Sequence, residues 1–222
     1  MAAGERALEF IEQGQTVGLG TGRAASAFIE LLGERVKAGL RLRAVPTSER
    51  SALLARKLGI PLVSLAEAGT LDVCVDGADE VDPQLDLIKG YGGALVREKI
   101  VAASARKLVI LVGPEKLVQR LGARGQLPVE VVPFGLSLAT RRLRALGCEP
   151  KLRMDGGAPY FTDNGNHILD CGIRPLEDAA RFESELKAIP GLVGSGLFLG
   201  MADVVIVEDD EGGVEVRRRR AT

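Results

Sequence analysis

Acidic residues crowd the segment from Asp72 to Lys99, DVCVDGADEVDPQLDLIKGYGGALVREK. Within it, Asp76 ends an apolar run that predicts a strand, and Asp79 follows three residues later. Ligands of open parallel sheets bind in the crevice outside the carboxyl ends of the strands, so we expect both carboxylates to face such a crevice. Carboxylates placed there can hold hydroxyl groups or transfer protons. Solvated loop carboxylates without a ligand are the alternative interpretation of the same residues.

A glycine-rich loop, KGYGG, follows in the same segment. Lys89 precedes Gly90, Gly92 and Gly93, a combination that favours binding of a phosphate or an oxyanion. Glu98 lies within the first turns of the helix that is predicted after the loop. Because the chain has a single histidine, carboxylates and lysines must carry out any acid–base chemistry.

An earlier glycine-rich loop, GLGTGRAAS, runs from Gly18 to Ser26 between a predicted strand and a predicted helix. Its glycines allow a tight turn, and the N–H groups at the start of the helix can bind a phosphate. The loop lacks the lysine and the Ser or Thr of a Walker motif, and Arg23 stands where a dinucleotide-binding motif has its third glycine. We therefore expect a small phosphorylated ligand, bound by the Thr21 hydroxyl and the Arg23 charge. A tight turn without a ligand is the alternative.

Composition excludes several other classes of function. The chain has 222 residues, with 29 basic and 30 acidic side chains and a net charge of −1, so no overall field attracts it to nucleic acid or to a membrane. Its one histidine, His167, is expected to be a hydrogen-bonded structural residue, and DGADEVD lacks the ligand spacing of an EF-hand, so we predict no metal site. The run Arg217–Arg220 follows acidic residues and is predicted to be a solvated tail or a charged hairpin.

The three cysteines, Cys74, Cys148 and Cys171, are odd in number, widely spaced and without a C-x-x-C motif. This pattern fits buried reduced thiols in a cytosolic protein better than disulfides. The first residues, MAAGERALEF, carry charges where a signal peptide has an apolar run, and no apolar stretch approaches the ~20 residues of a membrane span. We therefore expect a cytoplasmic protein that binds small molecules.

Apolar periodicity predicts the elements that must position these residues. Strands are predicted near Val17 and at Leu42–Val45, Ile60–Ser64, Leu71–Val75 and Lys107–Val112. Helices are predicted at Ala24–Arg35, from Thr47 or Ser48 to Leu58, and at Ala94–Ser104. This alternation is typical of a parallel α/β sheet.

The pattern changes after about Leu121, where GARGQLP and later prolines break the alternation. Shorter strands and two helices, Leu136–Leu146 and Leu176–Ala188, favour a small α+β layer, and the apolar run Ala202–Val207 suits a return to the main sheet. We therefore predict an α/β fold with a Rossmann-like parallel-sheet domain at residues 1–121 plus 201–222. A ferredoxin-like α+β domain is predicted to be inserted at residues 122–200, where it can provide subunit contacts.

Four motifs give the sequence a resemblance to a known family. In order and spacing it resembles the ribose-5-phosphate isomerases of the A type, through GLGTG at Gly18–Gly22, PTSERS at Pro46–Ser51, VDGADEVD at Val75–Asp82 and IKGYGGALVREKI at Ile88–Ile100. The resemblance continues through PVEVVPFG and DNGNHILDC and so covers nearly the whole chain. It implies an enzyme of the pentose phosphate pathway, in the non-oxidative branch, that interconverts ribose 5-phosphate and ribulose 5-phosphate without a cofactor. It also implies a homodimer or a dimer of dimers.

The resemblance implies a role for each candidate residue. Glu98 is the base that moves a proton between adjacent carbons through an enediolate, and Lys89 stabilises oxyanion charge together with N–H groups of the KGYGG loop. Asp76 and Asp79 hold sugar hydroxyls and assist ring opening, and the resemblance leaves open how the ring-opening and oxyanion roles divide among Asp76, Asp79 and Lys89. The implied substrate-binding residues are Thr21, Gly22, Arg23, Ala24, Asp76, Gly77, Ala78, Asp79, Lys89, Gly90, Tyr91, Gly92 and Lys116.

Three residues depart from the family pattern. Arg23 and Ala24 replace hydroxyl side chains in the phosphate loop, so either the Arg23 charge substitutes for hydroxyls or this side chain points to solvent. Tyr91 stands where the family often has a small or basic residue, and we expect it to pack or to shape the pocket. A non-catalytic sugar-phosphate sensor is the competing function, but no helix-turn-helix pattern is present at either end of the sequence.

Overall fold

The computed structural model describes residues 2–219. Met1 and residues 220–222 lie outside the described residues. They include both ends of the predicted Rossmann-like domain, 1–121 plus 201–222, and Arg220 of the predicted tail. The helices are α1 (Ala2–Leu8), α2 (Arg23–Lys37), α3 (Glu49–Lys57), α4 (Leu65–Ala68), α5 (Leu95–Ala103), α6 (Leu136–Ala145) and α7 (Ala179–Lys187). The strands are β1 (Thr16–Leu19), β2 (Arg43–Pro46), β3 (Val73–Gly77), β4 (Glu80–Val81), β5 (Leu87–Ile88), β6 (Leu108–Val112), β7 (Gln126–Val131), β8 (Glu149–Leu152), β9 (Met154–Asp155), β10 (Ala158–Pro159), β11 (His167–Gly172), β12 (Leu192–Ser195), β13 (Leu197–Phe198), β14 (Val204–Glu208) and β15 (Val214–Arg218). Among residues 2–219, no helix has the length and apolar composition needed to cross a membrane.

Two compact units divide the described chain. The first unit comprises residues 2–78, 97–117 and 200–219, and the second unit comprises Asp79–Val96 and Val118–Leu199. These bounds differ from the predicted domain boundaries for the segment Asp79–Val96, which the prediction assigned to the Rossmann-like domain. The segment groups with the second unit because β5 pairs with β13, placing Leu87 opposite Phe198.

The first unit is built around a six-stranded sheet in the order β15-β14-β6-β3-β1-β2. Neighbouring strands are parallel except β14 and β15, which are antiparallel. Helix α2 packs on one face through Phe28 and Leu32, next to Val75. Helix α5 packs on the other face, where a Cβ atom on Gly18 would lie 2.7 Å from Val101. Helices on both faces explain why the inner strands are buried along nearly their whole length.

The second unit contains a βαββαβ arrangement in the chain order β7, α6, β8, β11, α7, β12. Its four strands form an antiparallel sheet in the order β12-β7-β11-β8, the arrangement of ferredoxin-like folds. Leu143 of α6 and Leu186 of α7 pack against Val129 and Val131 of β7. A three-stranded sheet, β13-β5-β4, and the hairpin of β9 and β10 also lie in this unit.

The structure confirms the predicted α/β class, with a Rossmann-like parallel sheet and a ferredoxin-like α+β part. The predicted strand at Ile60–Ser64 is wrong. There, Leu62 forms only an isolated bridge with Ala44, and Ser64 instead caps α4 in a capping box with Glu67. The Ser-x-x-Glu pattern is a helix-start signal that outweighs the short apolar run before it.

A buried carboxylate holds a turn to the sheet of the second unit. Glu130 on β7 is fully buried, and its Oε1 accepts hydrogen bonds from Thr162 Oγ1 (3.1 Å), Asn164 Nδ2 (3.0 Å) and Asn166 Nδ2 (2.8 Å). The three donors belong to the turn between β10 and β11. Three side-chain donors on one buried oxygen fix the turn in place, because moving the turn would leave buried donors without their acceptor.

We expect Glu130→Ala to lower the free energy of unfolding by about 1–3 kcal/mol, because three side-chain donors lose their acceptor. Urea unfolding followed by circular dichroism measures the loss. The control is Glu177→Ala, at an exposed glutamate, which should change stability by less than about 0.5 kcal/mol. Equal stabilities of the two variants would contradict the role given to Glu130.

Candidate active site

Most predicted site residues lie at the carboxyl edge of the parallel sheet in the first unit. Strands β1, β2, β3 and β6 run in the same direction, so their carboxyl ends share this edge. The N–H of Gly20, which continues β1, donates to the carbonyl oxygen of Val75 on β3 at 2.9 Å. The predicted residues at these strand ends or shortly after them are Thr21, Gly22, Arg23, Ala24, Asp76, Gly77, Ala78 and Lys116.

Asp76 and the GLGTG loop are packed directly against each other. Asp76 is 1% exposed, and its Oδ1 accepts the N–H of Thr21 at 3.0 Å and the N–H of Gly77 at 2.7 Å. A Cβ atom at position 20 would lie 2.2 Å from the same oxygen, so no side chain fits there. Gly20 is therefore required by the contact with Asp76, and the loop and the carboxylate hold each other in place.

Four buried hydroxyl groups form a cluster beside the same loop. Thr21 Oγ1 lies within hydrogen-bond distance of the side-chain oxygens of Thr47 (2.8 Å), Ser48 (2.8 Å) and Ser51 (3.2 Å). Ser51 also donates to the carbonyl oxygen of Gly20 at 2.6 Å. The Thr21 hydroxyl is thus engaged in holding the loop to the start of α3, and its predicted hydrogen bond to a ligand stays a prediction.

The start of α2 presents backbone N–H groups at this edge. Gly22 is the N-cap residue and has a φ of 109°, a conformation that residues other than glycine rarely adopt. Because glycine has no side chain, no side chain of the N-cap residue occupies the first helical N–H groups. Arg23 follows as the first helical residue and is exposed, and Ala24 is half-buried. A helix N-terminus with a neighbouring arginine is suited to bind a phosphate.

Glu98 and Lys116 bring the predicted base and a second cation to the first unit. Glu98 lies in the first turn of α5 and is 3% exposed. Because the carboxyl end of α5 leads into β6, the helix starts toward the carboxyl edge of the sheet. Lys116 is half-buried and ends the 3₁₀ turn Pro114–Lys116 that follows β6 at the same edge.

The second unit holds Asp79, Lys89 and the KGYGG loop. Strands β4 and β5 are antiparallel with Glu80 opposite Ile88, so Asp79 and Lys89 lie side by side at one end of this pair. Asp79 donates its N–H to the carbonyl oxygen of Ile88 at 2.8 Å. Lys89 is 2% exposed, and its Nζ lies 5.5 Å from the centroid of the Phe198 ring, within cation–π range.

The KGYGG loop is a tight turn with its backbone fixed at several points. Gly90 has a φ of 103°, and the N–H of Gly93 donates to the carbonyl oxygen of Gly90 at 3.0 Å. The N–H of Tyr91 donates to Asp79 Oδ2 at 3.0 Å, whereas Gly92 is exposed at the tip. Two separate hydrogen bonds therefore fix the path of the backbone through the turn.

Tyr91 is anchored through its phenol. The hydroxyl donates to the carbonyl oxygen of Gln126 at 3.2 Å. Burial, together with the carboxylates of Glu80 and Asp79, raises the pKa of Tyr91 to about 12, so the phenol remains a hydrogen-bond donor at neutral pH. The side chain thus packs against β7, which agrees with the packing role expected for it.

The sequence analysis did not identify Thr47, Ser48 and Ser51 as loop-supporting residues. It predicted only that Thr47 or Ser48 caps a helix, and Ser48 is the N-cap of α3, accepting the N–H of Ser51 at 3.1 Å. The available signal was the run of hydroxyl residues directly after β2, the strand next to β1. Such residues lie at the same sheet edge as the glycine loop and can reach it.

Residues predicted to be structural make local contacts. His167 Nδ1 lies 2.9 Å from the carbonyl oxygen of Tyr160, and Arg217 pairs with Glu215 at 2.8 Å. The three cysteines are buried free thiols. Within residues 2–219, no group of three or more His, Cys, Asp or Glu side chains is arranged to hold a metal ion.

Comparison with known proteins gives matches along nearly the whole chain. Residues 43–212 match the family described as ribose 5-phosphate isomerase A (phosphoriboisomerase A). The chain is 52% identical over 217 residues to the ribose-5-phosphate isomerase A of Roseiflexus castenholzii, an alignment covering 96% of this chain and 93% of that protein. It is also 52% identical over 215 residues to the enzyme of the same name from Gloeobacter violaceus, with the same coverage of 96% and 93%.

Solved structures show the same similarity. A D-ribose-5-phosphate isomerase in complex with phospho-erythronic acid superposes with a TM-score of 0.95 at 42% identity, covering 98% of this chain and 96% of that one. Ribose 5-phosphate isomerase A of Methanocaldococcus jannaschii superposes with a TM-score of 0.93 at 38% identity, again covering 98% and 96%. The similarity therefore extends to the whole fold.

We expect Thr21→Val to lower the free energy of unfolding by about 1–3 kcal/mol, because the hydroxyls of Thr47, Ser48 and Ser51 lose a buried partner while the side-chain shape is kept. The matched control is Thr21→Ser, which keeps the hydroxyl and should recover most of the loss. Urea midpoints of the three proteins test this. If Thr21→Val is as stable as the unsubstituted chain, the hydroxyl cluster does not hold the loop.

Proposed function

The chain belongs to the ribose 5-phosphate isomerase A family, and we propose that it interconverts D-ribose 5-phosphate and D-ribulose 5-phosphate through an enediolate, with Glu98 as the base. This aldose–ketose isomerisation belongs to the non-oxidative branch of the pentose phosphate pathway. One observation carries the proposal for the base: Glu98 is a buried carboxylate at the start of α5, and it lies toward the sheet edge that carries the GLGTG loop. A base and an anion-binding loop are two of the parts that the reaction requires.

The proposed chemistry is a proton transfer between adjacent carbons. In the open-chain aldose, Glu98 takes the proton from C2, the C–H electron pair forms a C1–C2 double bond, and O1 becomes an oxyanion. Transfer of the O2 proton to O1 and return of the proton from Glu98 to C1 then give the ketose, with a C2 carbonyl and a C1 hydroxyl group. A carboxylate that is shielded from water, as the 3% exposure of Glu98 indicates, is a more effective base than a hydrated one.

Two positively charged groups and a helix start supply the proposed phosphate anchor. The N–H groups at the start of α2 donate hydrogen bonds to the phosphate, and Arg23 adds a charge-assisted hydrogen bond. Lys116, at the same sheet edge, contributes a second positive charge. The exposure of Arg23 supports this role, because a cation that recruits a dianionic ligand must be reachable from solvent.

The remaining polar residues are proposed to act on the sugar. Asp76 and Asp79 hold hydroxyl groups and assist opening of the furanose ring, and Lys89 stabilises the developing oxyanion together with the KGYGG loop. Asp76 Oδ1 and Asp79 Oδ2 each accept backbone N–H groups, which fixes the orientation of both carboxylates. Fixed orientation is what a group needs to act on a particular hydroxyl.

The proposed ligand class includes sugar acids as well as sugars. Phospho-erythronic acid, the ligand of the similar solved structure, carries a carboxylate where an enediolate carries its two oxygens. We propose that this chain also binds it, with the phosphate at the α2 start. The proposal includes a cytoplasmic homo-oligomer, a dimer or a dimer of dimers, as the family resemblance implies, and light scattering of the purified chain measures its mass.

We expect Glu98→Gln to reduce kcat by about 10²- to 10⁴-fold, because the amide cannot accept the C2 proton. Binding of phospho-erythronic acid and the urea midpoint should change little, since the side chain keeps its shape. The matched control is Glu34→Gln on the exposed face of α2, which should retain full turnover. Near-normal turnover by Glu98→Gln would refute the assignment of the base.

We expect Arg23→Ala to raise KM for ribose 5-phosphate by about tenfold with a smaller change in kcat, because one charge-assisted hydrogen bond to the phosphate is lost. Arg35→Ala, near the other end of α2, serves as the control and should leave both constants unchanged. Steady-state kinetics over a range of substrate concentrations separate the two constants. An unchanged KM would show that Arg23 does not bind the phosphate.

A further inference from the structure

Arg153 and Asp170 form an ion pair on the sheet of the second unit. Arg153 directly follows β8, and Asp170 lies on the neighbouring strand β11. Arg153 Nε donates to Asp170 Oδ2 at 2.8 Å, and Nη2 donates to Oδ1. The two side chains are only 15% and 23% exposed. A bidentate pair with this shielding fixes both the plane and the direction of the guanidinium.

The third guanidinium nitrogen reaches the KGYGG loop. Arg153 Nη1 donates to the carbonyl oxygen of Tyr91 at 3.1 Å and to the carbonyl oxygen of Gly90 at 3.3 Å. All three nitrogens of the side chain are therefore engaged, two with Asp170 and one with the loop. We call this arrangement the Arg153–Asp170 clamp.

Two further contacts support the clamp from the same unit. Gln126, whose carbonyl oxygen accepts the Tyr91 hydroxyl, donates its side-chain Nε2 to Asp170 Oδ1 at 2.9 Å. The guanidinium carbon of Arg153 lies 5.9 Å from the centroid of the Tyr160 ring. The clamp and the KGYGG loop therefore belong to one hydrogen-bond network in the second unit.

The clamp determines where one backbone N–H of the loop points. The peptide bonds are trans, and a trans peptide directs its C=O and its N–H to opposite sides. The carbonyl of Tyr91 shares its peptide with the N–H of Gly92, so holding that carbonyl against Arg153 turns the Gly92 N–H away from the guanidinium. The N–H of Tyr91, in the preceding peptide, is already donated to Asp79. Gly92, which is exposed, thus carries the N–H that the clamp turns away from the guanidinium.

We propose that Arg153, held by Asp170, is a positioning residue that aims the N–H of Gly92 at the oxyanion of the reacting sugar. The inference rests on the proposed isomerase function and deepens the role of the KGYGG loop. The guanidinium charge also polarises the two peptide groups whose carbonyls it binds, which strengthens their N–H groups as donors. Because charge on O1 is greatest in the enediolate, the clamp acts on the transition state more than on substrate binding.

The test compares Arg153→Met, Arg153→Lys and Asp170→Asn with the unsubstituted chain. Misplacing an oxyanion donor by about 1 Å can cost about 10²-fold in rate, so we expect kcat to fall by about 10- to 100-fold in both Arg153 variants and less in Asp170→Asn. KM should stay within about threefold, because Arg23 and the α2 start bind the phosphate. Arg144→Met, at an exposed arginine on α6, is the control and should keep its kcat.

Amide hydrogen exchange measured by NMR supplies a readout that is independent of activity. We expect exchange of the Tyr91 N–H to accelerate about tenfold or more in Arg153→Met, while the N–H of Val129 in the buried strand β7 keeps its rate. This combination would show a displaced loop in an intact sheet. Asp170→Asn retains the Arg153 side chain but removes the carboxylate that holds it, and so still tests the clamp if Arg153→Met does not fold.

Two results would overturn the inference. One is a kcat within about threefold of normal in folded Arg153→Met and Asp170→Asn. The other is a fall in kcat together with a rise in KM and faster hydrogen exchange of the Val129 N–H, because that pattern indicates a general structural role. Failure of the unsubstituted chain to isomerise ribose 5-phosphate would instead refute the proposed function, and the catalytic part of this inference would fall with it.

Discussion

The contact between Asp76 and the backbone of Gly20 and Thr21 is the constraint on which the first unit's site depends. Asp76 Oδ1 accepts the N–H of Thr21 from the loop and the N–H of Gly77 from its own strand, and it occupies the space that a side chain at position 20 would need. The β1–α2 loop can therefore follow only one path across the end of the sheet. That path determines where α2 begins, and hence where its N–H groups are presented to an anion.

In the second unit, a different set of side chains fixes a glycine-rich loop. In its KGYGG loop, Asp79 holds one N–H and Arg153 holds two carbonyls, and Asp170 holds the arginine in turn. In both units, charged side chains with little exposure orient a glycine-rich backbone. Backbone N–H groups fixed in this way need no reorganisation when charge develops on a ligand, which is why such loops are effective in electrostatic stabilisation.

Local patterns in the sequence predicted much of this arrangement, and long-range contacts account for the rest. The apolar runs predicted the parallel strands, and the glycines near position 20 together with Asp76 at a strand end predicted an anion-binding edge. The Arg153–Asp170 clamp was not predictable, because Arg153 and Tyr91 are 62 residues apart and their hydrogen bond depends on the register of β8 with β11. The grouping of Asp79–Val96 with the second unit was not indicated by the sequence for a similar reason, since the two-residue strands β4 and β5 are too short to show a period.

The central claim is that a protein carboxylate moves a proton between C2 and C1, and isomerisation in D₂O tests it most directly. A base that exchanges its proton with solvent introduces deuterium at C1 of ribulose 5-phosphate, and repeated interconversion accumulates the label at both carbons. Proton NMR of the sugar phosphates measures it. The account predicts progressive loss of one C1 proton signal of ribulose 5-phosphate and of the C2 proton signal of ribose 5-phosphate. Quantitative transfer of the original hydrogen between the two carbons over many turnovers, without any solvent label, would indicate a hydride shift and would contradict it.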